Sequence, residues 1–158
     1  MQDIERFPDA PFALVDCAEQ EAACRGADIV ITVTTANAAL VEEHWVKKGA
    51  LVMTMGSYTE ISPQLSRKAD KLVVDHLGQG PHRGSFREMV DRGELSAASF
   101  AAEVTEVVAG KKVGRDDPGQ RIIVALVGMG CLDLSVAALA YARITASGED
   151  VPAVCLAG

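Results

Sequence analysis

Asp28-Ile29-Val30-Ile31-Thr32-Val33-Thr34-Thr35-Ala36-Asn37 decides the fold of this chain. Every residue from Ile29 to Thr34 is β-branched. Such side chains are stiff at χ1 and pack well on a pleated surface, so the run reads as a strand over Asp28 to Thr34. It lacks a charged residue between Ile29 and Thr35, the pattern of a parallel strand covered on both faces. It then passes into small hydroxyl and amide residues, as expected where the C-terminal ends of parallel strands meet a ligand.

The same alternation of apolar run and helical pattern extends in both directions. Upstream, Phe12 to Asp16 reads as a first strand and Ala18 to Arg25 as a short helix. Gly26 is its C-terminal stop and Asp16 a candidate cap. Downstream, Leu40 to Trp45 reads as a helical turn and Ala50 to Met55 as a strand closed by Gly56. Glu60 to Asp70 carries Ile61, Leu65 and Ala69 at helical spacing with Pro63 in the first turn, and Lys71 to Asp75 is the next strand. Gly78, Gly80, Pro81 and Gly84 mark His76 to Gly84 as a loop and a candidate lid. Helices are expected over Phe86 to Arg92 and Ser99 to Ala109, a strand over Arg121 to Val127, and an Ala-rich helix over Leu132 to Ile144. Repeated strand, loop and helix units of this length predict an α/β fold. The expected form is a partial Rossmann-like, doubly wound, mostly parallel sheet with flanking helices, in a single domain spanning residues 1–158.

Composition narrows the function. A net charge of −7 with 15 scattered Lys and Arg residues argues against a nucleic-acid surface, which needs a basic patch. Cys17, Cys24, Cys131 and Cys155 contain no C-x-x-C pair and lie in or beside apolar stretches. They read as buried free thiols of a reducing compartment rather than metal ligands, so no metal site is expected. Neither a leader pattern nor an apolar run of membrane-spanning length is visible, and a cytoplasmic protein without membrane contact is the expectation.

The order of several short motifs resembles the ornithine cyclodeaminase and mu-crystallin family of NAD(P)-dependent oxidoreductases. These motifs are Gly26-Ala27-Asp28-Ile29-Val30, Thr32-Val33-Thr34-Thr35, Trp45-Val46 followed by Gly49-Ala50, and Gly56 followed by Glu60-Ile61. Val73-Val74-Asp75 with Gln79, Gly110 with Gly114-Arg115, and Gly128-x-Gly130-x-x-Asp133-Leu134 continue the series. The resemblance implies the C-terminal half of a family member, a truncated nucleotide-binding domain. The first strand with its G-x-G-x-x-G turn, and the substrate domain, have no counterpart upstream of Asp28. It also implies NAD or NADP as cofactor and amino or imino acids as substrates, and with the Gly-rich turn absent the expectation is that this chain alone binds nucleotide weakly. Ornithine cyclodeaminases carry an aspartate shortly after the glycine matching Gly56, whereas this chain reads Gly56-Ser57-Tyr58-Thr59-Glu60. The residues leave a second class open: a non-catalytic, dimeric or partner-binding Rossmann-like protein.

Candidate site residues follow from strand ends. Thr34, Thr35 and Asn37 offer hydroxyl and amide groups to the carboxamide edge of a nicotinamide, or simply cap a strand and start a turn. Gly56 permits close approach of a planar ring, with Ser57 beside it, or is a plain turn glycine. Gly128 and Gly130 imitate two glycines of a dinucleotide fingerprint, and the resemblance places them near the nicotinamide, with Asp133 as a first-turn acid. Asp75 and His76, with His82 nearby, form the remaining acid–base candidates, or a loop histidine facing solvent. Loss of a covering domain would expose a sheet edge and the Leu132 to Ile144 helix. A homodimer, or a partner that supplies the missing half, is therefore expected.

Overall fold

The computed structural model describes residues 15–148, which fall into two compact units, one ending at Val127 and one beginning at Gly128. The first unit is built on five strands: β1 (Ile29–Thr32), β2 (Leu51–Thr54), β3 (Lys71–Val74), β4 (Ala102–Glu103) and β5 (Ile122–Ala125). They lie in the order β1-β2-β5-β3-β4, and every pairing is parallel. Four short helices flank them: α1 (Gln20–Cys24), α2 (Pro63–Arg67), α3 (Arg87–Asp91) and α4 (Val104–Val108).

The topology follows from the handedness of crossovers. From β1 to β2, β2 to β3 and β3 to β4 the chain moves one way across the sheet, then from β4 back to β5 it reverses. Right-handed crossovers put the reversed connection on the opposite face. Accordingly Val30, Val52, Ile123 and Val74 pack with Cys24 of α1 and Leu65 of α2, while Val73, Ile122 and Val124 pack with Val104 of α4 on the other side. The doubly wound α/β architecture expected from the sequence is the one observed.

Several boundaries differ. The expected first strand lies mostly outside the described residues, and Val15 and Asp16 carry no strand. Glu19, not Asp16, is the N-cap residue of α1, and it makes no side-chain cap bond. The helix expected from Glu60 begins only at Pro63, because the proline ring holds Ser62 extended (φ −69°, ψ 145°). Glu60 and Ile61 are therefore extended, and Ile61 bridges to Val41. The helix expected over Ser99 to Ala109 divides instead into a single 3₁₀ turn, strand β4 and α4. Two strand residues show no alternation to read, but Ala101 N–H to Leu72 C=O (2.8 Å) secures the pairing. The His76 to Gly84 loop is packed down rather than raised as a free lid: Gly80, Pro81 and Gly84 are buried, and a Cβ at Gly80 would stand 2.8 Å from Val74 Cβ.

β1 is not covered on both faces as expected. Its residues alternate exposed and buried, and Ile29, Ile31 and Val33 are 58%, 55% and 69% exposed. α4 covers only part of that sheet face, leaving an open apolar groove of about 310 Å3 between Met53, Val108 and Ile122. Cys24 is buried but Cys17 and Cys131 are exposed, contrary to the expectation of buried thiols, and Cys155 lies outside the described residues. Among the described residues no helix is long and apolar enough to cross a membrane, and none group as three or more potential metal ligands.

The second unit holds one long helix, α5 (Gly130–Ser147), closed by Gly148 in the left-handed region at φ +69°. Asp133 lies in its first turn, as expected of an acid favoured by the helix dipole. Leu132, Leu134, Val136, Leu139, Tyr141 and Ile144 are all at least 42% exposed.

Candidate functional site

Parallel strands end on a common edge of the sheet, where ligands of open α/β folds bind. Register Thr32↔Thr54 makes Thr34 and Gly56 equivalent positions, each two residues beyond the last paired residue of its strand. The structure brings these two candidates together through a residue that the sequence reading counted as a helix start and part of a motif, but not among the candidate site residues. Glu60 is fully buried, and its carboxylate accepts four hydrogen bonds. Oε1 takes the Thr34 backbone N–H (2.8 Å) and the Thr34 hydroxyl (2.7 Å). Oε2 takes the Gly56 backbone N–H (2.9 Å) and the Thr32 hydroxyl (2.9 Å).

The backbone of Glu60 works in the same direction. Its carbonyl accepts from the N–H groups of Leu40 (2.8 Å) and Val41 (3.2 Å), and its N–H donates to Ser85 Oγ (3.2 Å). The turn from Thr34 to Leu40, which holds Thr35 and Asn37, is thus pinned at both ends by one residue. Burial pushes the Glu60 carboxyl up, but the hydrogen bonds from Thr34, Gly56 and Thr32 outweigh it and hold its pKa below the ordinary glutamate value. No cation pairs with Glu60 among the described residues; hydrogen-bond donors alone stabilise its charge.

Gly56 has a packing role in addition to those considered from the sequence. A Cβ at position 56 would stand 2.6 Å from Glu60 Cδ, so the carboxylate fills the space that a side chain would take. The Thr34 hydroxyl is likewise committed, donating to Glu60 and accepting from Ala36 N–H (3.2 Å). Thr35, Asn37 and Ser57 are exposed, and their side chains make no hydrogen bond among the described residues. The Ser57 carbonyl accepts from Gly84 N–H (3.2 Å), which joins the packed loop to the end of β2.

Asp75 is buried at the end of β3 and its Oδ1 accepts the His76 backbone N–H (2.8 Å). The His76 imidazole turns instead to its own loop, where Nδ1 accepts from Gly78 N–H (3.0 Å). His82 is exposed. Gly128, at φ +94°, and Gly130 belong to the second unit.

The signal that could have revealed Glu60 is its setting. It is the one charged residue between Met53 and Arg67. A lone acid in such a stretch must be solvated at the surface or satisfied internally by donors.

Comparison with known proteins shows the family. The model of the ornithine cyclodeaminase/mu-crystallin family matches residues 4–148. The chain belongs to this family. Curated relatives include an uncharacterised cyclodeaminase of Sinorhizobium fredii, 32% identical over 136 residues that make up 84% of this chain and 41% of the relative. The alanine dehydrogenase of Archaeoglobus fulgidus is 30% identical over 82% of this chain and 40% of its own length. Among solved structures, an archaeal alanine dehydrogenase dimer with bound NAD superposes with a TM-score of 0.85 at 25% identity, over 95% of this chain and 47% of that one. The Thermococcus litoralis Δ1-pyrroline-2-carboxylate reductase, in complex with NADH and L-proline, gives 0.78 at 26% identity, over 85% and 43%. The chain spans about two fifths of the length of the curated relatives it matches.

Proposed function

We propose that this member of the ornithine cyclodeaminase/mu-crystallin family supplies the nicotinamide side of an NAD(P)-dependent oxidoreductase site for amino or imino acids. The observation that carries this reading is the pair of strand-end turns, Thr34 to Asn37 and Gly56 to Ser57, held side by side with polar side chains unspent. The hydroxyls of Thr35 and Ser57 and the amide of Asn37 are the donors and acceptors that a carboxamide edge requires, so the residues present fit that group. NAD and NADH are named with two of the superposed structures. When bound, the nicotinamide supplies the carbon that gives or accepts a hydride. This chain's residues would orient the ring's amide through Thr35, Asn37 and Ser57, while Glu60 keeps the supporting turns in place.

A dehydrogenase or reductase is favoured over a cyclodeaminase. Cyclodeaminases were expected to place an aspartate after the glycine matching Gly56, and the acid found here, Glu60, faces inward with all its acceptor positions in use. The chain would work as one nucleotide-binding-like domain in the cytoplasm, with a partner or further sequence contributing the phosphate-binding turn and the substrate pocket.

Titration of the protein with NADH and NADPH, followed by calorimetry and cofactor fluorescence, tests the proposal. Binding in the millimolar range or tighter is expected; no binding of either cofactor at that concentration overturns it for this chain.

A second reading, a non-catalytic dimeric or partner-binding protein, is favoured by the exposed apolar face of Ile29, Ile31 and Val33 and by the exposed apolar side chains of α5. Sedimentation velocity distinguishes it: self-association that persists without nucleotide binding supports this reading, and a concentration-independent monomer opposes it.

A further inference from the structure

We infer that Glu60 is a positioning residue that makes one ligand platform out of two separate turns, and that it does so as a carboxylate no neutral isostere can replace. This rests on the nicotinamide reading of the strand-end edge, and it assigns the job of shaping that edge to a side chain that faces away from it.

The argument begins with how the four donors are shared. Each carboxylate oxygen carries one backbone N–H and one hydroxyl: Thr34 N–H and Thr34 Oγ1 on Oε1, Gly56 N–H and Thr32 Oγ1 on Oε2. A hydroxyl can rotate and accept, but a backbone N–H can only donate. Glutamine in place of Glu60 presents one oxygen and one NH2 group. Whichever way the amide is turned, the NH2 faces a backbone N–H, either that of Thr34 or that of Gly56. One of the two strand ends is therefore released, and an ionised acceptor is the only group of this size that holds both. Shortening to aspartate withdraws the carboxylate by one methylene and costs reach to both turns.

The consequence for the platform follows from what hangs on these two N–H groups. Thr34 begins the turn that carries Thr35 and Asn37, and the Glu60 carbonyl holds the far end of that turn through the Leu40 N–H. Gly56 begins the turn that carries Ser57, whose carbonyl receives the Gly84 N–H of the packed loop. No hydrogen bond among the described residues joins the Thr35, Asn37 and Ser57 side chains to the rest of the protein. Their relative placement is set by the backbone beneath them, and Glu60 is the shared anchor of that backbone. Releasing either turn leaves the three polar groups present but no longer held in one arrangement, which weakens a ligand that must contact them together.

The test compares Glu60→Gln with Leu65→Ala in the full chain. Leu65 is fully buried in α2, so its truncation destabilises the same unit without touching the carboxylate. Two quantities are measured: amide hydrogen exchange at Thr34 and Gly56, and the Kd for NADH and NADPH. Glu60→Gln is expected to speed exchange at one of the two amides by roughly tenfold to a hundredfold, the range of an orphaned buried donor, and to weaken nucleotide binding at least tenfold. Leu65→Ala is expected to change neither selectively. Thr32→Val, which removes one donor and leaves the carboxylate in place, gives a milder form of the same shifts and serves if Glu60→Gln does not fold. Unchanged exchange at both amides overturns the hub. Faster exchange with unchanged nucleotide affinity overturns the positioning role. A parent protein that binds neither nucleotide overturns the functional reading itself, and the exchange arm still reports on the hub separately.

Discussion

Replacing Gly56 by alanine should be costly, and the cost should vanish when Glu60 is removed. The added methyl would stand 2.6 Å from Glu60 Cδ and 2.7 and 2.8 Å from its two oxygens. At the closest point that is about 0.8 Å inside ordinary contact between heavy atoms. The carboxylate is held by bonds of 2.7 to 2.9 Å, so a retreat of that size carries Oε2 out of range of both Gly56 N–H and the Thr32 hydroxyl. Hydrogen bonds to a charged group contribute about 1.5–3 kcal/mol each. Alanine recovers about 0.4–1 kcal/mol from the unfolded chain, since Gly56 does not occupy the left-handed region. With two such bonds lost, the balance is a loss of about 2–5 kcal/mol for Gly56→Ala. In a Glu60→Ala background no carboxylate stands in the way, and the same substitution should be neutral or slightly stabilising, a coupling of about 2–5 kcal/mol across the cycle. Urea unfolding followed by the fluorescence of Trp45, the single tryptophan, measures all four proteins; sulfate in the buffer keeps the weaker ones folded at zero urea. A Gly56→Ala penalty of the same size in both backgrounds would refute the reasoning, as would a penalty below about 1 kcal/mol in the parent.

Three further outcomes are expected. Because the folded-state pKa of Glu60 is lowered, its contribution is complete above the ordinary value near 4.5 and is lost as the pH falls through the folded value; the stability gap between parent and Glu60→Gln, measured by urea unfolding from pH 7 to 3, should narrow only at the acid end. Gly84→Ala should cost about 1–2 kcal/mol from the left-handed backbone alone, since Gly84 sits at φ +65° with its Cβ position 3.2 Å from the Gly56 carbonyl, and a lowered Tm checks it. Ile31→Lys on the exposed face of β1 should leave Tm nearly unchanged and reduce any self-association seen by sedimentation, whereas a large fall in Tm would show that this face is covered within the protein.

Much of the sheet was legible because its strands are short, dense runs of branched residues bounded by glycine or charge. Ile29 to Thr32, Leu51 to Thr54, Lys71 to Val74 and Ile122 to Ala125 each fall inside the run read from sequence. β4 was not legible: Ala102-Glu103 has neither length nor alternation, and it exists because β3 offers an edge. The α2 boundary needed the backbone restriction before Pro63 to outweigh the apolar periodicity from Ile61. At the site, Thr34 and Gly56 were picked out for the ligand they would face. What joins them is behind them, through contacts of 26 and 4 residues' separation to one acid. Periodicity does not report such a contact; a lone acid among hydroxyls and glycine is the only local trace of it. The His76 ring, whose Nδ1 accepts from Gly78 N–H, engages its own loop through a local contact that residue type alone does not report.

The strand order also governs how this domain can be made. Among the described residues β5 is the last strand to be synthesised, yet it is the middle of the sheet, with β2 on one side and β3 on the other. Until Ile122–Ala125 arrives, β1-β2 and β3-β4 are two separate ribbons with nothing between them. Each has an unpaired apolar edge of the kind that seeks other chains. A nascent chain paused before residue 122 is thus the aggregation-prone species, and insertion of one four-residue strand is the step that turns two pieces into a domain.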